Sequence, residues 1–135
     1  MPAPATHVYR RNIRFADTDA AGVAHFSRLL AIVEEAIHDF FQIRGVPILD
    51  AATAWPVVSI CADYSAGCRF QDEITVALSM DKIGTSSLGF SFAATKADGT
   101  ACFGGKATLC HIDPALHAPA PIPAKTRDAL GATPA

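Results

Sequence analysis

Hydrophobic and polar positions change their period once along this chain. Over residues 26–44 the apolar side chains Phe26, Leu29, Leu30, Val33, Ile37, Phe40 and Phe41 recur at i, i+3, i+4 and i+7. Ser27, Arg28, Glu34, Glu35, His38, Asp39 and Gln42 fill the remainder. That spacing predicts one long amphipathic helix, roughly 28 Å at 1.5 Å per residue. Ser27 is its expected N-cap, and Gly45 followed by Pro47 is its stop.

After a connector over residues 48–54 the period drops to two. Residues 55–64 form an apolar run rich in β-formers, among them Val57, Val58 and Ile60. Ile74, Val76, Leu78 and Met80 then alternate with polar or small residues, and so do Leu88, Phe90, Phe92 and Ala94 beyond a Gly84-Thr85-Ser86 turn. Asp98-Gly99 is a hairpin signal. A last strand is expected over residues 100–112, where Gly104-Gly105 points to a bulge or a close backbone approach. Ahead of the helix, residues 7–16 read as a strand with Tyr9, Ile13 and Phe15 on one face and Arg10, Asn12 and Arg14 on the other; Arg11 breaks the apolar face. Residues 1–6 read as a loose end. The Ala- and Pro-rich stretch 114–135 reads as a tail with a short helix over 123–130. The order is strand, long helix, four strands, and the helix must bury its stripe on one sheet face.

Composition sharpens this picture. The chain has 135 residues, 50% of them hydrophobic and 18% charged, which predicts one domain with a core and leaves apolar surface for a second copy. A net charge of −2 gives no electrostatic case for nucleic acid. Four cysteines without a C-x-x-C pair, and no secretory leader in the sequence, read as reduced thiols in a cytoplasmic protein. No apolar run reaches the roughly 20 residues of a membrane span, and the histidines lack zinc spacing, so neither a metal nor another cofactor is expected.

The chemistry gathers where the first strand meets the helix. Phe15-Ala16-Asp17-Thr18-Asp19-Ala20-Ala21-Gly22-Val23 places two carboxylates and a glycine just ahead of His25 and Phe26. A helix start carries free N–H groups and partial positive charge, so it favours developing negative charge. An acid held there can act on a polarised carbonyl, or can simply fasten the turn.

This motif, with Trp55-Pro56-Val57-Val58-Ser59-Ile60-Cys61-Ala62-Asp63-Tyr64, Phe70-Gln71-Asp72-Glu73-Ile74 and the Gly84 turn, resembles the hot-dog-fold acyl-CoA thioesterases of the 4-hydroxybenzoyl-CoA and 1,4-dihydroxy-2-naphthoyl-CoA type. The resemblance runs from about residue 7 to residue 112. It implies an α+β fold in which a five-stranded antiparallel sheet wraps one long helix, and homodimers or homotetramers with interfacial active sites. It implies that Asp19 is catalytic, as nucleophile or as general base, and that backbone N–H groups at Phe26 and His25 meet the oxyanion. Gly22, His25, Glu34 and Ser59 become candidate substrate contacts, Glu34 as acceptor for a ring hydroxyl, and Asp17 a structural acid. One departure is plain: near the Gly84 turn, where hydroxybenzoyl enzymes carry a basic cluster for the CoA phosphates, the sequence offers only Lys82. Rival expectations are a non-catalytic acyl-CoA or acyl-carrier binding module and a hot-dog hydratase or dehydratase, for which His25 is the only nearby candidate.

Overall fold

The computed structural model describes residues 5–131. The long helix, α1 (Phe26–Ile43), lies across a five-stranded antiparallel sheet of β1 (His7–Asn12), β2 (Val57–Tyr64), β3 (Glu73–Ile83), β4 (Ser87–Lys96) and β5 (Ala101–Cys110). The strand order is β1-β3-β4-β5-β2, so the first strand and the strand after the helix form the two edges. This is the expected hot-dog arrangement.

The core lies between helix and sheet. Leu29, Ile32, Val33, Ala36, Ile37, Phe40 and Phe41 face inward from α1 and meet Ile74, Val76 and Leu78 of β3 and Leu88, Phe90 and Phe92 of β4, all buried. The buried stripe differs from the expected one at its start. Phe26 is 57% exposed, and Ile32 and Ala36 complete the stripe instead. The Ser27 N-cap expectation is also corrected. The cap is His25, whose Nδ1 accepts the Ser27 N–H at 3.2 Å. Gly45 stops the helix as expected, at φ +69°.

Three strand ends differ from the sequence reading. β1 stops at Asn12 and the chain turns into a short 3-10 helix, Phe15–Asp17, so Phe15 leaves the apolar face and stands 75% exposed. β2 begins at Val57 and β5 ends at Cys110, since His111 and Ile112 bond to residues off the sheet. Of the two readings for Gly104-Gly105, close approach is the observed one. The register shifts lie elsewhere, and a Cβ on Gly105 would fall inside contact distance of the Cys61 carbonyl of β2. Gly105→Ala is therefore expected to destabilise the protein by about 1–3 kcal/mol, as overpacking does, read as an earlier midpoint in chemical denaturation. An unchanged midpoint would show that the β2 edge yields freely.

The ends are tied down more than expected. Residues 1–4 lie outside the described ones, but Thr6 is fastened to β3: its N–H donates to Leu78 O at 2.6 Å and its Oγ1 accepts the Met80 N–H at 2.9 Å. After β5 the chain makes a two-residue pairing of β6 (Ile112–Asp113) with β7 (Ala118–Pro119), then α2 (Ala124–Gly131), with Pro123 just ahead of it. Ile122 and Leu130 of this stretch are buried in the core; residues 132–135 lie outside the described ones. Among the described residues no helix is long and apolar enough to cross a membrane.

Candidate active site

The loop from Arg14 to His25 is built on one buried carboxylate. Asp17 is 1% exposed. Its Oδ2 accepts the Arg14 N–H at 2.8 Å and pairs with Arg11, while its Oδ1 takes the Arg28 guanidinium at 3.1 Å and 3.3 Å. Arg11, only 6% exposed at its side chain, spans from Asp17 to both carboxylate oxygens of Glu35, each at 2.7 Å. Tyr9 donates to the same Glu35 at 3.0 Å. Asp17 thus ties β1, the 3-10 turn and the helix's first turn together, a structural acid held by side chains as well as backbone. Burial pushes its carboxyl up, but the Arg14 N–H and the two guanidiniums outweigh burial and leave it below the usual carboxylate range. These pairs are why Arg11 breaks the apolar face of β1. A lone inward cation on β1, an acid six residues on and a second arginine in the helix's first turn were the available signal.

Asp19 sits differently. It is exposed, and its Oδ1 accepts the Ala21 N–H at 2.8 Å in an Asx turn. Among the described residues no donor occupies its Oδ2. The turn is closed by Asp19 N–H to Val23 O at 2.9 Å and Gly22 N–H to Asp19 O at 3.0 Å. Gly22 takes φ +80° with open space where a Cβ would stand, so backbone conformation and not crowding requires glycine there.

At the helix tip the N–H groups have separate fates. His25 N–H bonds to Asp17 O at 3.0 Å, Ser27 N–H to His25 Nδ1, and Arg28 and Leu29 N–H to His25 O at 2.9 and 3.1 Å. Only the Phe26 N–H lacks an acceptor among the described residues of this first turn. The expectation that the His25 N–H would also serve an oxyanion is corrected, since the Asp17 carbonyl already takes it.

Two grooves flank the tip. One, about 320 Å³, runs along Val23, Ala24, Phe26, Leu29 and Tyr64 to Gly67. Val23 of its wall accepts the Asp19 N–H. The other, about 360 Å³, lies between α1 and the β2 edge, walled by Leu30, Ile37, Val57 and Ile60, with Ser27 and Glu34 as its polar groups. Ser59 is exposed and does not line it. His25 is exposed at the tip, its Nδ1 also 2.8 Å from Ser27 Oγ. Nearby Cys68 is no nucleophile: burial and the adjoining Cys102 push its thiol up to about 12. Among the described residues no group of three metal-ligating side chains converges. At the Gly84 turn, α2 supplies an arginine that the sequence reading missed. Arg127 donates to Gly84 O at 2.7 Å and so is committed to the turn's own backbone.

The sequence pattern of the Thioesterase-like superfamily matches residues 13–130. A 1,4-dihydroxy-2-naphthoyl-CoA hydrolase of Nostoc punctiforme is 31% identical over 94 residues, which cover 67% of this chain and 64% of that protein, just under two thirds of its length. One from Acaryochloris marina is 29% identical over 109 residues, covering 78% of this chain and 80% of its own. Among solved structures, a gentisyl-coenzyme A thioesterase superposes with a TM-score of 0.83 at 25% identity, covering 92% of this chain and 99% of that one.

Proposed function

This chain belongs to the thioesterase-like superfamily, and from that premise we propose that it is a thioester hydrolase that cleaves a hydroxylated aromatic acyl-CoA, with Asp19 as its acid. The observation that supports the reading is that two groups stay open on one short loop: the Asp19 Oδ2, whose residue bonds by its backbone to Val23, and the Phe26 N–H three residues beyond Val23. A thioester carbonyl lodged there presents its oxygen to the Phe26 N–H, where the helix dipole adds to the hydrogen bond. Asp19 then attacks the carbonyl carbon, giving an anhydride that water opens, or takes a proton from the attacking water. In either route the C–S bond breaks and CoA leaves as a thiolate. Gly22 lets the loop bring the carboxylate to the tip. His25 acts through its cap, shaping the turn that frees the Phe26 N–H.

The acyl ring goes to the apolar groove between α1 and β2. Glu34 at its rim is the acceptor for a ring hydroxyl, which fits the hydroxylated aromatic esters named for the relatives. Ser59 lies outside this groove in a single chain, and a role for it depends on a partner copy. The exposure of Val58 on the β2 edge, 59%, and of Phe26, 57%, supports a homodimer or homotetramer that closes the grooves.

A thiol-release assay tests this across hydroxylated aromatic, plain aromatic, short-chain and long-chain acyl-CoAs. Hydroxylated aromatic esters are expected to react fastest. Glu34→Gln should reduce their advantage over benzoyl-CoA on the order of 10-fold, the weight of one hydrogen bond to a charged group. An unchanged ratio in that variant would remove Glu34 from ring recognition, and fastest release from aliphatic esters would overturn the acyl assignment.

A further inference from the structure

Ser27 belongs both to the cap of α1 and to the apolar groove. It lines the space of about 360 Å³ between α1 and the β2 edge, and of the α1 residues on that wall it is the closest to the helix start. Glu34 lies seven residues further along the same wall, two helical turns and roughly 10 Å of rise away. The other lining side chains, among them Leu30, Ile37, Val57 and Ile60, carry no polar atom.

Both polar hydrogens of Ser27 go to one atom. Its N–H donates to His25 Nδ1 at 3.2 Å, and its Oγ lies 2.8 Å from the same nitrogen. A backbone N–H can only donate, so Nδ1 is the unprotonated ring nitrogen, and the neutral imidazole carries its proton on Nε2. The 2.8 Å contact is then the serine hydroxyl donating to Nδ1. A serine has one hydroxyl proton. With that proton spent on the cap, Oγ offers the groove lone pairs only. A carboxylate at Glu34 offers the same. Among the described residues the groove therefore presents two side-chain acceptors, no side-chain donor and an otherwise apolar wall.

Such a groove favours a flat apolar body that carries O–H donors, and a body without them leaves the acceptors unpaired. Position says which donor meets Ser27. Its chain neighbour, about 3.8 Å away between Cα atoms, is Phe26, whose N–H takes the thioester oxygen in the reading above. A hydroxyl on the ring carbon next to the acyl group is thus the one closest to Ser27, and a hydroxyl further round the ring lies toward Glu34.

We propose that Ser27 is a specificity residue, accepting a hydrogen bond from the ring hydroxyl adjacent to the acyl carbonyl, and that His25 is its positioning residue, holding the serine proton away from the groove. This rests on the acyl-CoA reading above and adds a second ring position to the one given to Glu34.

The test takes kcat/KM by thiol release for 2-hydroxybenzoyl-CoA and 4-hydroxybenzoyl-CoA, each as a ratio to benzoyl-CoA, so that a loss common to all esters cancels. A 2-hydroxyl can also bond its own carbonyl, but that effect travels with the ester and cancels between parent and variant. Ser27→Ala should lower the 2-hydroxy ratio about 5-fold, the weight of one neutral hydrogen bond, and leave the 4-hydroxy ratio in place. Ser27→Thr, which keeps a hydroxyl, should hold both ratios near those of the parent. Ring ¹⁵N shifts of His25 read its tautomer, and the neutral ring should carry its proton on Nε2. An unmoved 2-hydroxy ratio in Ser27→Ala, equal losses in both ratios, or a proton on Nδ1 would overturn the proposal. Absence of thiol release from every ester in the parent would instead sink the hydrolase reading. The same ratios, taken from Kd of the intact esters by calorimetry, would then decide the role of Ser27 by the same outcomes.

Discussion

Asp19→Asn is expected to lower kcat by at least about 100-fold, the lower range for loss of an acid–base group, while leaving the fold and its unfolding midpoint unchanged. The asymmetry follows from the turn. Oδ1 of Asp19 holds the Ala21 N–H, and an asparagine oxygen can hold it equally well, so the Asx geometry survives. What disappears is the negative charge on the second oxygen, the one that faces no donor among the described residues. Gly22 at φ +80° and the Asp19–Val23 backbone bond are untouched. If turnover in Asp19→Asn stayed within a few-fold of the parent, Asp19 would be a loop fastener and nothing more. A single turnover in ¹⁸O-water separates the two chemical routes. Attack by Asp19, with water then opening the anhydride at the aspartyl carbon, delivers an unlabelled Asp19 oxygen to the first product and leaves the label in Asp19; general-base attack of water labels the product and leaves Asp19 unlabelled.

The second large effect concerns stability. Asp17→Ala is expected to cost about 3 kcal/mol, the lower end for removing one partner of a buried ion pair. The lower end applies because Arg28, half exposed at its side chain, can turn to water, whereas Arg11 at 6% cannot and keeps Glu35 and the Asn12 carbonyl. The same residue sets a pH dependence. Because the folded carboxyl lies below its ordinary value, its contribution is fully present above the unfolded pKa of about 3.9 and is lost as pH falls through the lower folded one. Equilibrium denaturation between neutral pH and strong acid should show this loss in the parent and a flatter profile in Asp17→Asn. A parent and variant with parallel acid profiles would mean that the two arginines do not favour the charged form. Activity should fall along with stability in Asp17→Ala, since the Asp17 carboxylate ties the turn at Arg14 to Arg28 in the helix's first turn and so holds the backbone that carries the His25 N–H bond to residue 17.

Much of this was legible before any coordinates. The 3.6-residue period fixed α1 to within a residue, and the switch to a period of two placed β3 and β4, because each element buries one face only. The acids, the glycine and the helix start were read as one site because they are adjacent in sequence. What escaped the reading was long-range. Phe15 looks like a core residue in a strand pattern, and only the turn at Ile13 shows that it faces outward. Ser27 has the better N-cap propensity, yet His25 caps, since its bond to Asp17 sets where the helix begins. Arg11, Arg28 and Glu35 cannot be joined to Asp17 by spacing, and neither can Arg127 to the Gly84 turn, because those contacts cross between elements. The Ala/Pro-rich stretch reads as a tail by composition, although Ile122 and Leu130 are buried.

The central claim is that the open oxygen of one exposed aspartate and one untaken N–H at a helix tip are enough to split a sulfur ester. Incubating the purified protein alone with 1,4-dihydroxy-2-naphthoyl-CoA or 4-hydroxybenzoyl-CoA, and following free thiol and free acid together, tests it most directly. The account predicts that both appear in equal amounts over many turnovers, and that both appear at least about 100-fold more slowly with Asp19→Asn. Ester that is bound but recovered intact, in the parent as in the variant, would contradict it.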